Sequence, residues 1–361
     1  MSEATHGGVL VTGGAGFIGC ALSRLAATPD LRWVAVDTLN PRIHESQERP
    51  SALAPHAELV VGDIVDPATW DEVLTDWSPD VIVHLAAETD TGLSLDHPSR
   101  FTTVNVEGTA QLMEALRRHD VTPRRIVVAS SRAVYGEGVW RDDSTGEERT
   151  RPQRSHDELE SGQWDFPGAR PLAAHAGITP ANTSNVYAAT KLAQEGLLSA
   201  WCASRGVDLS ILRLQNVYGP GQSLINPYTG ILALFVRLAA AGKEIPVYED
   251  GAMLRDFVHI DDVAPAFARV ISADYTETGT SMYDIGTGTP ASVLEVAQAI
   301  ATELGAPAPV VTGRYREGDV RHAWCEVQDA VARLRWAPQI DWRSGISAYV
   351  NWYLERNGAE R

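Results

Sequence analysis

The chain has 361 residues, 44% of them hydrophobic, so it can bury a sizeable core and is long enough for two lobes. With 30 basic against 47 acidic residues its net charge is −17, and no basic run stands out, which argues against nucleic-acid binding. Three scattered cysteines, Cys20, Cys202 and Cys325, give neither a disulfide framework nor a metal site; with no signal peptide and no long apolar stretch, the expectation is a cytoplasmic protein that binds no membrane and no metal.

In chain order, Val9–Thr12 is a short apolar run that reads as a buried strand. Gly13-Gly-Ala-Gly-Phe-Ile-Gly19 follows at once, and Cys20–Ala26 has helical spacing. Glycines at 13, 16 and 19 suit a tight turn, close approach of a pyrophosphate, and helix–strand packing. The helix start then offers free N–H groups and the positive end of its dipole to phosphates. A second strand, Trp33–Val36, ends at Asp37, 24 residues after Gly13, where a carboxylate accepts from ribose hydroxyls and repels a 2′-phosphate. That favours NAD over NADP.

Three further strand ends carry candidate contacts: Asp63 and Ile64 after Leu59; Leu85, Ala86 and Ala87 after Val81; and Ser130 and Ser131 after Arg125. Strand–helix alternation at this rhythm predicts a doubly wound parallel sheet with ligands at the carboxyl ends of its strands. Tyr187 and Lys191, in Asn185-Val-Tyr-Ala-Ala-Thr-Lys191, fall one turn apart on a helix. A cation beside a phenol favours the phenolate, which makes Tyr187 a candidate base. Further on, Leu209–Leu214 reads as another strand, Gly230–Ala241 as a helix and Pro246–Tyr248 as a short strand. A helix capped by Asp261 is expected to run to Ser272, followed by Met282–Gly286 and a helix over Ser292–Leu304.

The motifs GGAGFIG, SSRAVYG, YAATK, RLQNVYGPG and RDFVHIDDVA, spread nearly end to end, resemble those of the extended short-chain dehydrogenase/reductases. Within that group the chain is similar to the NAD-dependent nucleotide-sugar epimerases and dehydratases. The resemblance implies an α/β Rossmann fold with a smaller, interleaved C-terminal substrate lobe. Residues 1–214 would form the NAD-binding lobe, with 259–273 packing back on it and 137–183 inserted as a flap. Residues 215–258 and 274–361 would hold the nucleotide sugar.

It further implies Ser131, Tyr187 and Lys191 as the catalytic set, and Gly13, Gly16, Phe17, Ile18, Gly19, Asp37, Asp63, Ile64 and Asn105 as NAD contacts, with Leu85, Ala86, Ala87, Tyr187 and Lys191 beside them. Ser131, Arg132, Asn216, Arg255 and Arg321 are the expected contacts to a nucleotide-diphosphate sugar. In related 4,6-dehydratases the two residues after the catalytic hydroxyl are typically Asp-Glu; here they are Arg132 and Ala133. That favours oxidation and return of hydride at one carbon, an epimerisation at C4. A dehydratase or 4-ketoreductase using the same Ser, Tyr and Lys stays open, as does an epimerase acting on a UDP-hexose or UDP-uronic acid.

His84–Ser94, Ser130–Gly138 and Pro220–Leu232 resemble the branch that contains dTDP-L-rhamnose 4-epimerases. Members of that branch often carry a long insertion with paired cysteines after VYG. This chain has the insertion, roughly Glu137 to Thr183, without a cysteine, so no metal-bound loop is expected. Its length and its charge, Pro and Gly content suggest a partly ordered flap near the sugar pocket. The resemblance also implies a homodimer through a four-helix bundle formed by the helices near Val106–Arg118 and Tyr187–Ala203.

Overall fold

The computed structural model describes residues 5–224 and 230–358; part of the Pro220–Leu232 motif therefore lies outside the described residues. Seven parallel strands make the central sheet: β1 Val9–Thr12, β2 Trp33–Asp37, β3 Glu58–Val61, β4 Val81–His84, β5 Arg125–Ser131, β6 Asp208–Leu214 and β7 Thr280–Ile285. Their spatial order is β7-β6-β5-β4-β1-β2-β3. The order reverses between β1 and β4, and a crevice opens there at the carboxyl ends of the strands.

The central strands are largely apolar because both faces are covered. From β1, Val9 and Val11 enter the core shared with Leu22, Val263 and Phe267, while Leu10 enters the opposite core with Trp70, Leu112 and Leu198. The first of those cores is built on the helices Phe17–Ala26 and Ile260–Ile271, the second on Pro67–Leu74, Gly108–Arg118 and Val186–Arg205. A third core, around Phe235, Val296 and Tyr349, unites the helices Ile231–Ala240, Val293–Leu304 and Trp342–Gly358 into the second lobe.

Two expectations are corrected. Met282–Gly286 was assigned to the substrate lobe, yet Thr280–Ile285 is the seventh strand, paired with β6 from Leu209↔Thr280 to Leu214↔Ile285. The chain returns from the second lobe to satisfy the open edge of β6. The helix at 260 is capped by His259, whose Nδ1 accepts from the Asp261 amide at 3.2 Å; Asp261 lies inside the first turn.

The insertion is ordered. Val139–Asp142 pairs antiparallel with Glu148–Thr150 and Ala169–Pro171, and His156–Glu160 is a short helix with a Ser155/Glu158 capping box. Charged residues pin it to the second lobe. Arg154 bonds Glu137 at 3.0 Å and lies 2.9 Å from Glu249, while Arg321 reaches Asp165, Glu249 and Asp250. Arg154, Glu137, Glu249 and Arg321 are all buried.

Candidate active site

Local sequence sets the cofactor cradle. Gly13 has φ +64, and a Cβ there would lie 2.8 Å from the Ala86 nitrogen. A Cβ on Gly19 would lie 2.5 Å from the Gly14 oxygen, so the loop and the first helix touch backbone to backbone. Gly16 is the N-cap of that helix and supplies no side-chain cap, which leaves its first N–H groups for a phosphate. At the end of β2, Asp37 accepts from the Ala15 and Leu39 amides at 3.1 and 3.0 Å, with His44 at 3.4 Å. Its carboxylate is thus aimed before any ligand arrives.

These residues border a cavity of ≈ 410 Å³ at the β1/β4 reversal, lined by Gly13, Gly16, Asp37, Asp63, Ile64, Leu85, Ala86 and Ala87 among others. The close backbone approach at Gly13 and Gly16, the uncapped helix start and the oriented carboxylate fit a dinucleotide. Phe17 and Ile18 pack towards the core, so the helix start that they occupy is what faces the cavity. Asn105 is corrected: it is fully buried, accepts from the Glu88 amide at 2.7 Å and donates to Glu88 O and Thr190 Oγ1. It braces the wall of the site from behind and does not line it.

Ser131 ends β5, and Tyr187 and Lys191 lie on the helix Val186–Arg205, whose N-cap Asn185 accepts from the Ala188 amide at 2.9 Å. Ser131 meets Tyr187, and Lys191 lies one turn further along the helix of Tyr187. The Ser131 hydroxyl bonds the Tyr187 phenol. Burial raises the Tyr187 pKa, opposed first by that bond and then by the charge of Arg132. Lys191, pushed down to about 8 by burial, donates from Nζ to Gln194 Oε1 at 2.6 Å. The charge of Arg132 thus adds to that of Lys191, one turn along the helix from Tyr187.

Arg132, lowered to about 9 by burial and then by the charge of Arg255, extends from the turn after Ser131. Arg255 is buried and donates to Leu254 O, Arg321 O and Val320 O at 2.8, 3.0 and 2.6 Å, with no carboxylate in ion-pair contact among the described residues. Asn216 keeps a buried Oδ1 without a hydrogen-bond partner. The Arg132 and Arg255 guanidinium groups thus lie close enough for their charges to act on each other. Arg321 is the exception: its guanidinium makes five bonds to Asp165, Glu249 and Asp250. It is spent on those carboxylates and does not serve a diphosphate.

Another cation, Arg316, stands five residues earlier. It lies 5.1 Å over the Tyr248 ring and bears electrostatically on Asp90. Asp90 itself has φ +123, and its carboxyl caps the turn Thr91–Asp96 through the Leu93 amide at 2.6 Å. Positive φ in a residue with a side chain is strained, and such residues gather at functional sites. Gln194 was missed in the sequence, although its i,i+3 spacing from Lys191 was a usable signal.

The model of the NAD dependent epimerase/dehydratase family matches residues 9–158 and 166–286. The chain is 50% identical to a dTDP-L-rhamnose 4-epimerase of Burkholderia thailandensis over 96% of its length and 95% of that protein's. Its fold superposes on Thermus thermophilus UDP-glucose 4-epimerase in complex with NAD, with TM-score 0.75 and 25% identity over 97% of this chain and 99% of that one. It also superposes on the dTDP-glucose 4,6-dehydratase DesIV of Streptomyces venezuelae with NAD and TYD bound, with TM-score 0.76 and 26% identity over 98% of each chain. The chain belongs to the NAD dependent epimerase/dehydratase family. Within it, the chain is an NAD-dependent nucleotide-sugar epimerase.

Proposed function

We propose that the enzyme inverts C4 of a dTDP-linked 6-deoxyhexose such as dTDP-L-rhamnose. One observation carries the choice of epimerisation over dehydration. The two positions after Ser131 bring a guanidinium, Arg132, and a methyl, Ala133, to the catalytic set, where elimination of water needs an acid and a base. The 50% identical relative supports the sugar and the nucleotide.

In this reading Tyr187, as phenolate, takes the proton of the C4 hydroxyl, and Ser131 donates to the oxygen as it becomes a ketone. NAD, which Gly13, Gly16 and Asp37 would hold, would supply the hydride acceptor and donor for C4. Lys191 holds the nicotinamide ribose. Arg255, Arg132, Arg316 and Asn216 receive the diphosphate against the adverse field of a −17 chain. Asp37 turns away a 2′-phosphate. The protein pairs as a homodimer through Gly108–Arg118 and Val186–Arg205, whose Met113 and Trp201 are only partly buried; sedimentation at twice the chain mass checks this.

The reaction is tested by proton NMR in deuterated water, with dTDP-L-rhamnose, UDP-glucose and UDP-glucuronate presented separately and NAD at a fraction of substrate. The expected result is a C4 epimer of dTDP-L-rhamnose at constant mass, without deuterium at C4. Tyr187→Phe should lose on the order of 10²–10⁴-fold in turnover. Loss of water or carbon dioxide, or a stoichiometric need for reduced cofactor, would overturn the assignment.

A further inference from the structure

The row of side chains directly beneath the catalytic hydroxyl is polar, which is costly inside a covered sheet unless every group is paired. Ser130 on β5, Arg213 on β6 and Asp284 on β7 stand side by side in register, one row before Ser131↔Leu214. All three are buried. Glu195, buried as well, reaches this row from the helix Val186–Arg205, where it stands one turn beyond Lys191 and two beyond Tyr187. Its Oε1 accepts from the Ser130 hydroxyl and from Arg213 Nε, the latter at 3.0 Å, while Oε2 accepts from Arg213 Nη2 at 2.7 Å. One carboxylate is thus both the counter-charge of Arg213 and a tie between the helix of Tyr187 and the strand end that carries Ser131.

The far side of Ser131 is tied to the same row. Its Oγ accepts from the Ala133 amide at 3.2 Å, and the turn Arg132–Tyr135 ends in a phenol whose hydroxyl lies 2.9 and 3.0 Å from the two Asp284 oxygens. The Arg213 guanidinium lies 4.7 Å over that ring. Arg213 therefore stands between two carboxylates, one holding the residue before Ser131 and the other the turn after it. With the Ala133 amide on its oxygen, the Ser131 hydroxyl keeps its proton for Tyr187. Apolar side chains would often fill such a layer at equal or lower cost in stability. What an ion pair with a serine bonded to it adds is a fixed spacing between strand end and helix.

We propose that Glu195 is a positioning residue: by binding Ser130 and Arg213 together it sets the Ser131 hydroxyl at bonding distance from Tyr187. It acts through Ser131, and its consequence for turnover rests on the roles given above to Ser131 and Tyr187.

Glu195→Ala would strand the buried charge of Arg213, so the test is made at Ser130, whose replacement by Ala leaves the Glu195–Arg213 ion pair whole. With dTDP-L-rhamnose and NAD, Ser130→Ala should lose about tenfold in kcat at unchanged KM, since ~1 Å of misplacement costs on the order of 10²-fold and the turn after Ser131 stays tied. Ser131→Ala should lose on the order of 10²–10³-fold. Ser130→Ala added to it should cost nothing more, because no hydroxyl is left to aim. The second readout is the near-ultraviolet phenolate titration of Tyr187, taken in each background as the difference from Tyr187→Phe. Ser130→Ala should move it to higher pH, and the double variant no further than Ser131→Ala alone. An unchanged kcat, losses that multiply in the double variant, or a titration that Ser130→Ala leaves in place would sink the inference and reduce Glu195 to a stabilising ion pair. The titration needs no sugar, so it decides the point even if the proposed reaction fails.

Discussion

Replacing Arg321 by Met separates a structural arginine from a substrate-binding one. The guanidinium is 1% exposed and makes five bonds to three carboxylates, at 2.7 to 3.1 Å. Removing one partner of a buried ion pair costs about 3–5 kcal/mol, because the remaining charge is stranded. Here the stranding is partial. Asp165 and Asp250 are 54% and 39% exposed and can turn to water, while Glu249, 1% exposed, keeps Arg154 at 2.9 Å. The low end of the range applies, about 3 kcal/mol. Urea unfolding should show a lower midpoint for Arg321→Met at unchanged slope, with little change in KM for the nucleotide sugar. An unchanged midpoint together with a large rise in KM would refute the reasoning and restore Arg321 to the diphosphate.

Two further outcomes follow from the geometry. Asp284, buried beneath the Tyr135 hydroxyl at 2.9 Å, has its pKa raised by burial from 3.8 to about 7, with Tyr135 and Arg213 pulling the other way. A raised folded pKa gives stability that is complete below 3.8 and lost as pH climbs to about 7. Wild type should therefore weaken relative to Asp284→Asn across that window, by up to roughly 1.4 kcal/mol per unit; parallel urea curves at each pH would exclude it. Gly13→Ala places a methyl 2.8 Å from the Ala86 nitrogen at φ +64, against backbone that cannot yield. Overpacking and the left-handed conformation together cost roughly 2–4 kcal/mol, and calorimetry should show weakened NAD binding; wild-type affinity would mean that the cradle is not at Gly13.

The central strands were legible because a strand covered on both faces is largely apolar, as in Val9–Val11 and Val81–Val83. β7 was not, since Thr280-Ser-Met-Tyr-Asp-Ile285 hides its polar atoms in bonds that only the folded sheet provides: Ser281 to Ser210, and Asp284 to Tyr135. The same limit explains the arginines. Arg314, Arg316 and Arg321 lie in one charged stretch, and which of them meets carboxylates depends on Asp165, Glu249 and Asp250, far away in sequence. Asn105 was expected to touch NAD and instead braces the wall, because nothing local says that its amide is already engaged with Glu88 and Thr190. The helix period sets Tyr187 and Lys191 one turn apart, whereas Ser131, on a distant strand end, was joined to them only by the resemblance of the SSRAVYG and YAATK motifs.

The seventh strand also sets a timetable for synthesis. β6 leaves the ribosome with one edge unpaired, and its partner β7 emerges only after the intervening sixty-odd residues that link them. The inserted segment waits longer still, since Glu137 and Asp165 find Arg321 only near the end of translation. A nascent chain stalled before residue 280 would thus present an open parallel edge and an undocked insertion together, a state for which chaperones exist.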